Sequence, residues 1–145
     1  FSPFRMEMEI TESMVMHNTD AAISILKGLK EIGVHLSVDD FGTGYSSLAY
    51  LKSLPIEILK IDRSFVSDIN GPGGKSDGVL AQAIISLGHS LKLKVIAEGV
   101  EEQAQLEFLK ANHCDEAQGF LFSKPVPPEE CGLLLANSRR GIKKG

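Results

Sequence analysis

The sequence predicts an α/β fold built on a parallel sheet, and three observations carry that prediction. Segments of strand periodicity alternate with segments of helical periodicity along the chain, giving about five pairs. Such alternation is met by right-handed crossovers between parallel strands. Each predicted strand also ends in a polar residue, at the end of the sheet where parallel α/β folds open a crevice. Pattern alone leaves two architectures open, a doubly wound open sheet and part of a (β/α) barrel.

The first strand is expected over residues 4–10, where Phe4, Met6, Met8 and Ile10 alternate with Arg5, Glu7 and Glu9. Asn18, Thr19 and Asp20 supply N-cap chemistry, and Ile23, Leu26, Leu29 and Ile32 recur at helical intervals until Gly33 stops the helix. Residues 34–39 form the second strand. Ser46 or Ser47 then caps a short helix carrying Leu48, Leu51 and Leu54, which Pro55 ends. Residues 56–62 are the third strand, followed by a loop with Gly71-Pro72-Gly73-Gly74 and a helix traced by Val79, Leu80, Ala83, Ile84, Leu87 and Leu91. A fourth strand over 94–98, a helix over 102–111, a short strand over 116–122 and a last helix opened by Pro127-Pro128 and running through Leu133, Leu134 and Leu135 complete the order.

Composition narrows the function classes. The 145 residues carry a formal net charge of -4 and a pI near 5.6, which opposes a broad nucleic-acid-binding face. The basic cluster Arg139, Arg140, Lys143 and Lys144 reads as a solvated tail over 139–145, apart from a domain portion over 1–138. No run approaches the roughly 20 apolar residues of a membrane span. The opening Phe1-Ser2-Pro3-Phe4-Arg5 has neither signal-peptide shape nor an initiator Met, so the chain is expected to begin in mid-protein. Cys114 and Cys131 lack CxxC spacing, and a reduced, cytoplasmic setting without a disulfide or zinc site fits them.

The strand ends present Glu9, then Asp39 with Asp40, Lys60 with Asp62, Glu98 and Gln118. One acidic strand end reads most simply as a helix cap or solvated turn. A whole series does not, because carboxylates that converge on one crevice repel one another unless cations neutralise them. Oxygen donors suit magnesium or manganese, whereas zinc recruits Cys or His, and His17, His35, His89 and His113 are scattered. Two such ions activate a water and stabilise the leaving oxygen of a phosphodiester, which reconciles an acidic chain with an anionic substrate. Lys60 either orients that water or stabilises phosphoryl charge, or else forms a salt bridge to Asp62; spacing leaves both open.

These residues fall into ordered motifs: Glu9-Ile10-Thr11-Glu12-Ser13, the run from Asp39-Asp40-Phe41-Gly42-Thr43-Gly44-Tyr45 to Leu48, Lys60-Ile61-Asp62, Glu98-Gly99-Val100-Glu101 and Gln118-Gly119-Phe120. The set resembles the successive signatures of EAL-domain cyclic di-GMP phosphodiesterases, in family order and over nearly the whole chain. The resemblance implies a partial TIM-like (β/α) barrel, about five C-terminal β/α units of an EAL domain. It implies Glu9, Asp39, Asp40 and Glu98 as ligands of a two-metal Mg2+ or Mn2+ site. Lys60 would hold the catalytic water, with Glu98, Asp39 and Asp40 sharing the catalytic role. Glu12 would anchor the Asp-Phe-Gly-Thr-Gly loop, Gln118 would lie beside the substrate, and Asp62 and Glu101 would support. Phe120 stands where the family more often has Tyr.

The same resemblance implies hydrolysis of cyclic di-GMP to linear pGpG by the parent domain. It also marks what this sequence does not contain: the Glu-Ala-Leu segment that names the family, a nearby Arg and an Asn metal ligand. The chain alone is therefore expected to be weakly active or inactive. Open sheet edges favour a homodimer or domain-exchanged oligomer, with a dimer through the loop after Asp40 as the family-like form. A degenerate EAL domain that binds cyclic di-GMP or a partner without hydrolysis is the rival reading, and the presence of all five residues Glu9, Asp39, Asp40, Lys60 and Glu98 opposes it. Another metal-dependent barrel, enolase-like, fits the carboxylates but not the ordered motifs. Asp40-Phe41-Gly42 copies a kinase triplet without the catalytic loop that should precede it, and Gly74-Lys75-Ser76 lacks the first Gly of a P-loop.

Overall fold

A computed structural model of the chain describes residues 2–11, 19–43, 51–69 and 78–141. Five strands, β1 (Glu7–Thr11), β2 (His35–Phe41), β3 (Ile58–Ile61), β4 (Lys94–Ala97) and β5 (Glu116–Ala117), form one sheet in the order β1-β2-β3-β4-β5. Every neighbouring pair is parallel, as the alternation of elements requires. The helices are α1 (Thr19–Glu31), α2 (Arg63–Ser67), α3 (Val79–Ser90), α4 (Gln103–Ala111) and α5 (Pro128–Gly141). No described helix is long and apolar enough to cross a membrane.

Side-chain alternation divides the sheet into two unlike faces. On one, Ile10, Leu36, Val38, Leu59, Ile61, Val95 and Ala97 pack with Leu26 of α1, Ile84 and Ile85 of α3 and Leu109 of α4 in a single core. Leu59 and Ile61 are completely buried, and each contributes about 1.5–3 kcal/mol of hydrophobic stabilisation. The opposite face carries Glu9, Ser37, Lys60 and Ile96, held level by the pairings Glu9 with Ser37, Ser37 with Ile58 and Lys60 with Ile96. The core thus fixes by register which residues the other face presents.

Three elements depart from expectation. The first strand starts at Glu7, because Pro3–Arg5 is a 3-10 turn closed by the Arg5 amide on Ser2 O at 3.0 Å and the Met6 amide on Pro3 O at 2.9 Å. Pro3 suits that start, where no amide hydrogen is needed. Phe4, Met6 and Met8 are exposed at 70%, 45% and 39%, and only Ile10 is buried, since β1 lies at the sheet edge. The last strand stops at Ala117 instead of reaching residue 122, because Gly119 crosses tightly over Val100 and turns the chain away. The short helix α2 was not foreseen. The expected caps Asn18, Ser46 and Ser47 and the loop of residues 71–74 lie outside the described residues.

Asp62 starts α2 as its N-cap, where its Oδ1 accepts from the Ser64 amide at 2.9 Å and from the Ser64 hydroxyl. That bond satisfies one of the helix's open donors. Asp62→Ala is expected to lower the stability by about 1 kcal/mol, read from urea unfolding, with Asp62→Asn retaining most of it.

Both cysteines are free. Burial pushes the half-buried Cys114 thiol up to about 11 despite the Glu116 backbone hydrogen bond, whereas Cys131 is exposed on α5. Iodoacetamide at pH 8 on the native chain should therefore modify Cys131 first, with Cys114 slower by about a hundredfold, because the thiolate is the nucleophile. Mass spectrometry of the labelled peptides reads the ratio, and equal labelling would contradict the burial.

Candidate active site

The polar face of the sheet gathers its charges at the carboxyl ends of the strands. Lys60 on β3 is 7% exposed, and its Nζ donates to Glu9 Oε1 from β1 and lies 3.0 Å from Glu98 Oε1, just past the end of β4. Gln118, just past β5, donates from Nε2 to the same Glu98 Oε1 at 2.7 Å. Residues from four strands are thus linked in one chain of contacts, Glu9 to the Lys60 ammonium and Lys60 and Gln118 to the Glu98 carboxylate. Lys60 does not pair with Asp62, so the salt bridge that spacing left open is replaced by longer-range partners across the sheet. Residues 60 and 62 share a face, but the chain leaves the strand at Asp62, whose carboxylate turns to cap α2.

Asp39 and Asp40 are adjacent, and a regular strand would send them to opposite faces. The pairing of β2 with β3 is interrupted between Val38 and Phe41: Val38 faces Leu59 and Phe41 faces Ile61, leaving two residues opposite Lys60 alone. This β-bulge puts Asp40 in the left-handed region at φ 54°, an uncommon place for a non-glycine residue. The Asp40 amide donates to Asp39 Oδ1 at 2.9 Å, and the Asp40 carbonyl accepts from Thr43 Oγ1 at 2.8 Å. Bulges re-aim side chains beside functional sites, and here one serves a doubled carboxylate.

The electrostatics record that crowding. Burial raises the pKa of Asp40, and the neighbouring charges of Asp39 and Asp62, a side-chain hydrogen bond with Asp62 and the charge of Glu9 raise it further. Burial likewise lifts Glu98, with Asp39 and Glu9 adding to the rise and Lys60 opposing it. For Lys60, burial opposes the ammonium charge, but hydrogen bonds to Glu9 and Glu98 outweigh it and hold the group above the usual lysine range. One buried cation therefore serves several carboxylates, and negative charge remains in excess. The donors are all oxygen, which suits a hard divalent cation. Among the described residues, no three of Asp, Glu, His and Cys come together closely enough to hold an ion by themselves.

Of the residues singled out from the sequence, Glu9, Lys60, Glu98 and Gln118 are joined directly, and Asp39, Asp40 and Asp62 form the adjoining group. Glu12 lies outside the described residues. Glu101 stands apart from this centre and pairs through Oε1 with Arg63 Nη2 at 2.8 Å. Sequence reasoning missed Arg63 and the close packing around Gly99. A signal existed in Asp62-Arg63, where a cap residue is followed by a cation three residues beyond a buried lysine. A cavity of about 730 Å³ opens beside Glu98 and Gln118, with Phe120, Pro125 and Leu135 among its apolar walls and Arg63 and Lys124 among its charged ones.

The EAL domain family matches residues 1–125. Cyclic di-GMP phosphodiesterase NbdA of Pseudomonas aeruginosa is 56% identical over 122 residues, which are 84% of this chain and 15% of NbdA. Among solved structures, the PaMucR phosphodiesterase in complex with c-di-GMP superposes with a TM-score of 0.84 at 46% identity, over 90% of this chain and 52% of that one. The manganese/cy-diGMP complex of Klebsiella pneumoniae BlrP1 superposes with a TM-score of 0.75 at 34% identity, over 86% of this chain and 31% of that one. The chain therefore spans about half of the PaMucR structure and a small part of NbdA. These likenesses decide between the two architectures left open by the pattern: the five parallel strands follow a TIM-like barrel and not a doubly wound open sheet.

Proposed function

The chain belongs to the EAL domain family, and from that premise we propose that it contributes the C-terminal half of a site that hydrolyses cyclic di-GMP to linear pGpG. The observation that carries this reading is Lys60, a buried ammonium shared between Glu9 and Glu98 with Gln118 on the same carboxylate. This arrangement keeps a cation and several carboxylates at one strand-end crevice. The identity to NbdA and the likeness to cyclic di-GMP complexes support the substrate.

In this proposal Glu9, Asp39, Asp40 and Glu98 would contribute part of the ligand set of two Mg2+ or Mn2+ ions, completed by the rest of the barrel in the longer protein, and the ions when bound would supply positive charge to the attacking water and the leaving oxygen. The manganese complex of BlrP1 supports a divalent metal. Lys60 orients the water and carries charge towards the phosphoryl group, its own proton held by two carboxylates. Gln118 borders the substrate and steadies Glu98, while Asp62 braces Asp40 and Glu101 supports the loop after β4. Glu12 is proposed to anchor the loop after Asp40. The proposed setting is the cytoplasm, in keeping with two free cysteines, and the proposed assembly is a homodimer or domain-exchanged oligomer.

Incubating the chain, and a longer protein carrying a complete barrel around it, with cyclic di-GMP and Mg2+ or Mn2+ tests the reading by chromatography of pGpG. The expected result is turnover by the longer protein and little or none by the chain alone. Binding of cyclic di-GMP by the well-folded longer protein without turnover would replace the enzyme by a receptor.

A further inference from the structure

The geometry points to Arg63 as a positioning residue that clamps the segment from Glu98 to Glu101 and so sets the Glu98 carboxylate against Lys60 and Gln118. This deepens the proposed hydrolytic reading and rests on it for its kinetic consequence. Two independent contacts carry it. At the tip of the side chain, Nη2 holds Glu101 Oε1 at 2.8 Å. Along the stem, Cγ, Cβ and Cδ of Arg63 lie so near Gly99 that a Cβ on that residue would fall 2.3, 2.7 and 2.9 Å from them. Gly99 also stands at φ 70°, in the left-handed region. The chain between Glu98 and Glu101 is thus gripped at one residue by packing and at another by charge, both from one arginine.

Stability does not account for this grip. The Arg63 and Glu101 side chains are 65% and 42% exposed, and an exposed ion pair contributes little to global folding. The local position explains it better. Arg63 opens α2 directly after Asp62, whose carboxylate interacts with Asp40, so the exit of β3 braces the carboxylates on both neighbouring strands. The Glu98 amide bonds Ile61 O at 3.1 Å, and the Val100 amide bonds Gln118 O at 3.0 Å, so a loosened segment would release Glu98 and Gln118 together.

Two readouts test the clamp. In the longer protein, Arg63→Ala should lower kcat by about ten- to a hundredfold through misplacement of Glu98, with KM changed by less than about threefold. Arg63→Lys should recover part of the loss, since it keeps the stem over Gly99 but loses the guanidinium fork. By hydrogen exchange, Arg63→Ala should speed the Glu98 and Val100 amides by at least about tenfold while leaving the Val95 amide, bonded to Asp115 at 2.8 Å, unchanged. A raised KM at constant kcat would make Arg63 a substrate contact and overturn the proposal. Unchanged exchange at Glu98 and Val100, or equal acceleration at Val95, would overturn it as well. If the longer protein shows no turnover at all, the hydrolytic reading fails while the exchange data still decide the clamp.

Discussion

Changing Lys60 to Ala in the longer protein is expected to lower the rate of pGpG formation by about 10²–10³-fold, the scale of losing one preorganised charge at a developing anion. The reason lies in how few cations serve this face. Lys60 is buried, and its ammonium is held between Glu9 and Glu98. Without it those two carboxylates face one another across the end of the sheet with Asp39 close by, and Glu98, already raised by burial, loses the neighbour that opposes the rise. Lys60→Arg should rescue poorly, because a planar fork cannot replace a compact ammonium between two fixed acceptors. Lys60→Met separates the charge from the packing: it fills the same space, so a similar loss of rate at near-normal stability assigns the effect to electrostatics. Retention of more than about a tenth of the rate in Lys60→Ala would remove the lysine from the mechanism.

Much of this site was legible because a parallel sheet translates sequence into position simply. Once the strands are placed, strand ends become neighbours, and Glu9, Lys60, Glu98 and Gln118 meet as their order implies. What could not be read was where periodicity breaks. Phe4 keeps the alternation of a strand with Met6 and Met8, yet Pro3 draws Phe4 and Arg5 into a 3-10 turn, because a backbone preference at one residue outweighs a pattern at the next two. The bulge at Asp39 and Asp40 is equally invisible to alternation, which puts the two carboxylates on opposite faces; only the pairing with β3 reveals the extra residue. The partners of Lys60 were open for a related reason. Asp62 is near in sequence, but it sits where the strand has already become a helix cap, so sequence distance misjudged reach. Arg63 escaped notice because its role depends on a close approach to a glycine far along the chain, and close approaches leave no periodic trace.

Gly119→Ala should be the most destabilising single methyl group in the described part of the fold, costing about 3 kcal/mol or more. A Cβ at Gly119 would stand 2.2 Å from Val100 O, 2.3 Å from Val100 N and 2.8 Å from Val100 C. These are backbone atoms, and they cannot swing aside as the tip of a side chain can. They are also held from both directions: the Val100 amide donates to Gln118 O at 3.0 Å, and Val100 O accepts from the Leu121 amide at 3.0 Å. Relieving the overlap means opening that pair of bonds, which leaves buried backbone groups unsatisfied and pulls Gln118 from Glu98. Gly28, in the middle of α1, supplies the contrast, since nothing lies within 4 Å of an added Cβ there. Gly28→Ala should instead stabilise by about 0.5–1 kcal/mol, from the helix preference alone. Urea unfolding followed by circular dichroism should therefore move the midpoint down for one glycine and up for the other. Equal shifts would mean that helix propensity, and not the crossing over Val100, governs these positions, and the tight junction that holds Gln118 at the site would have to be abandoned.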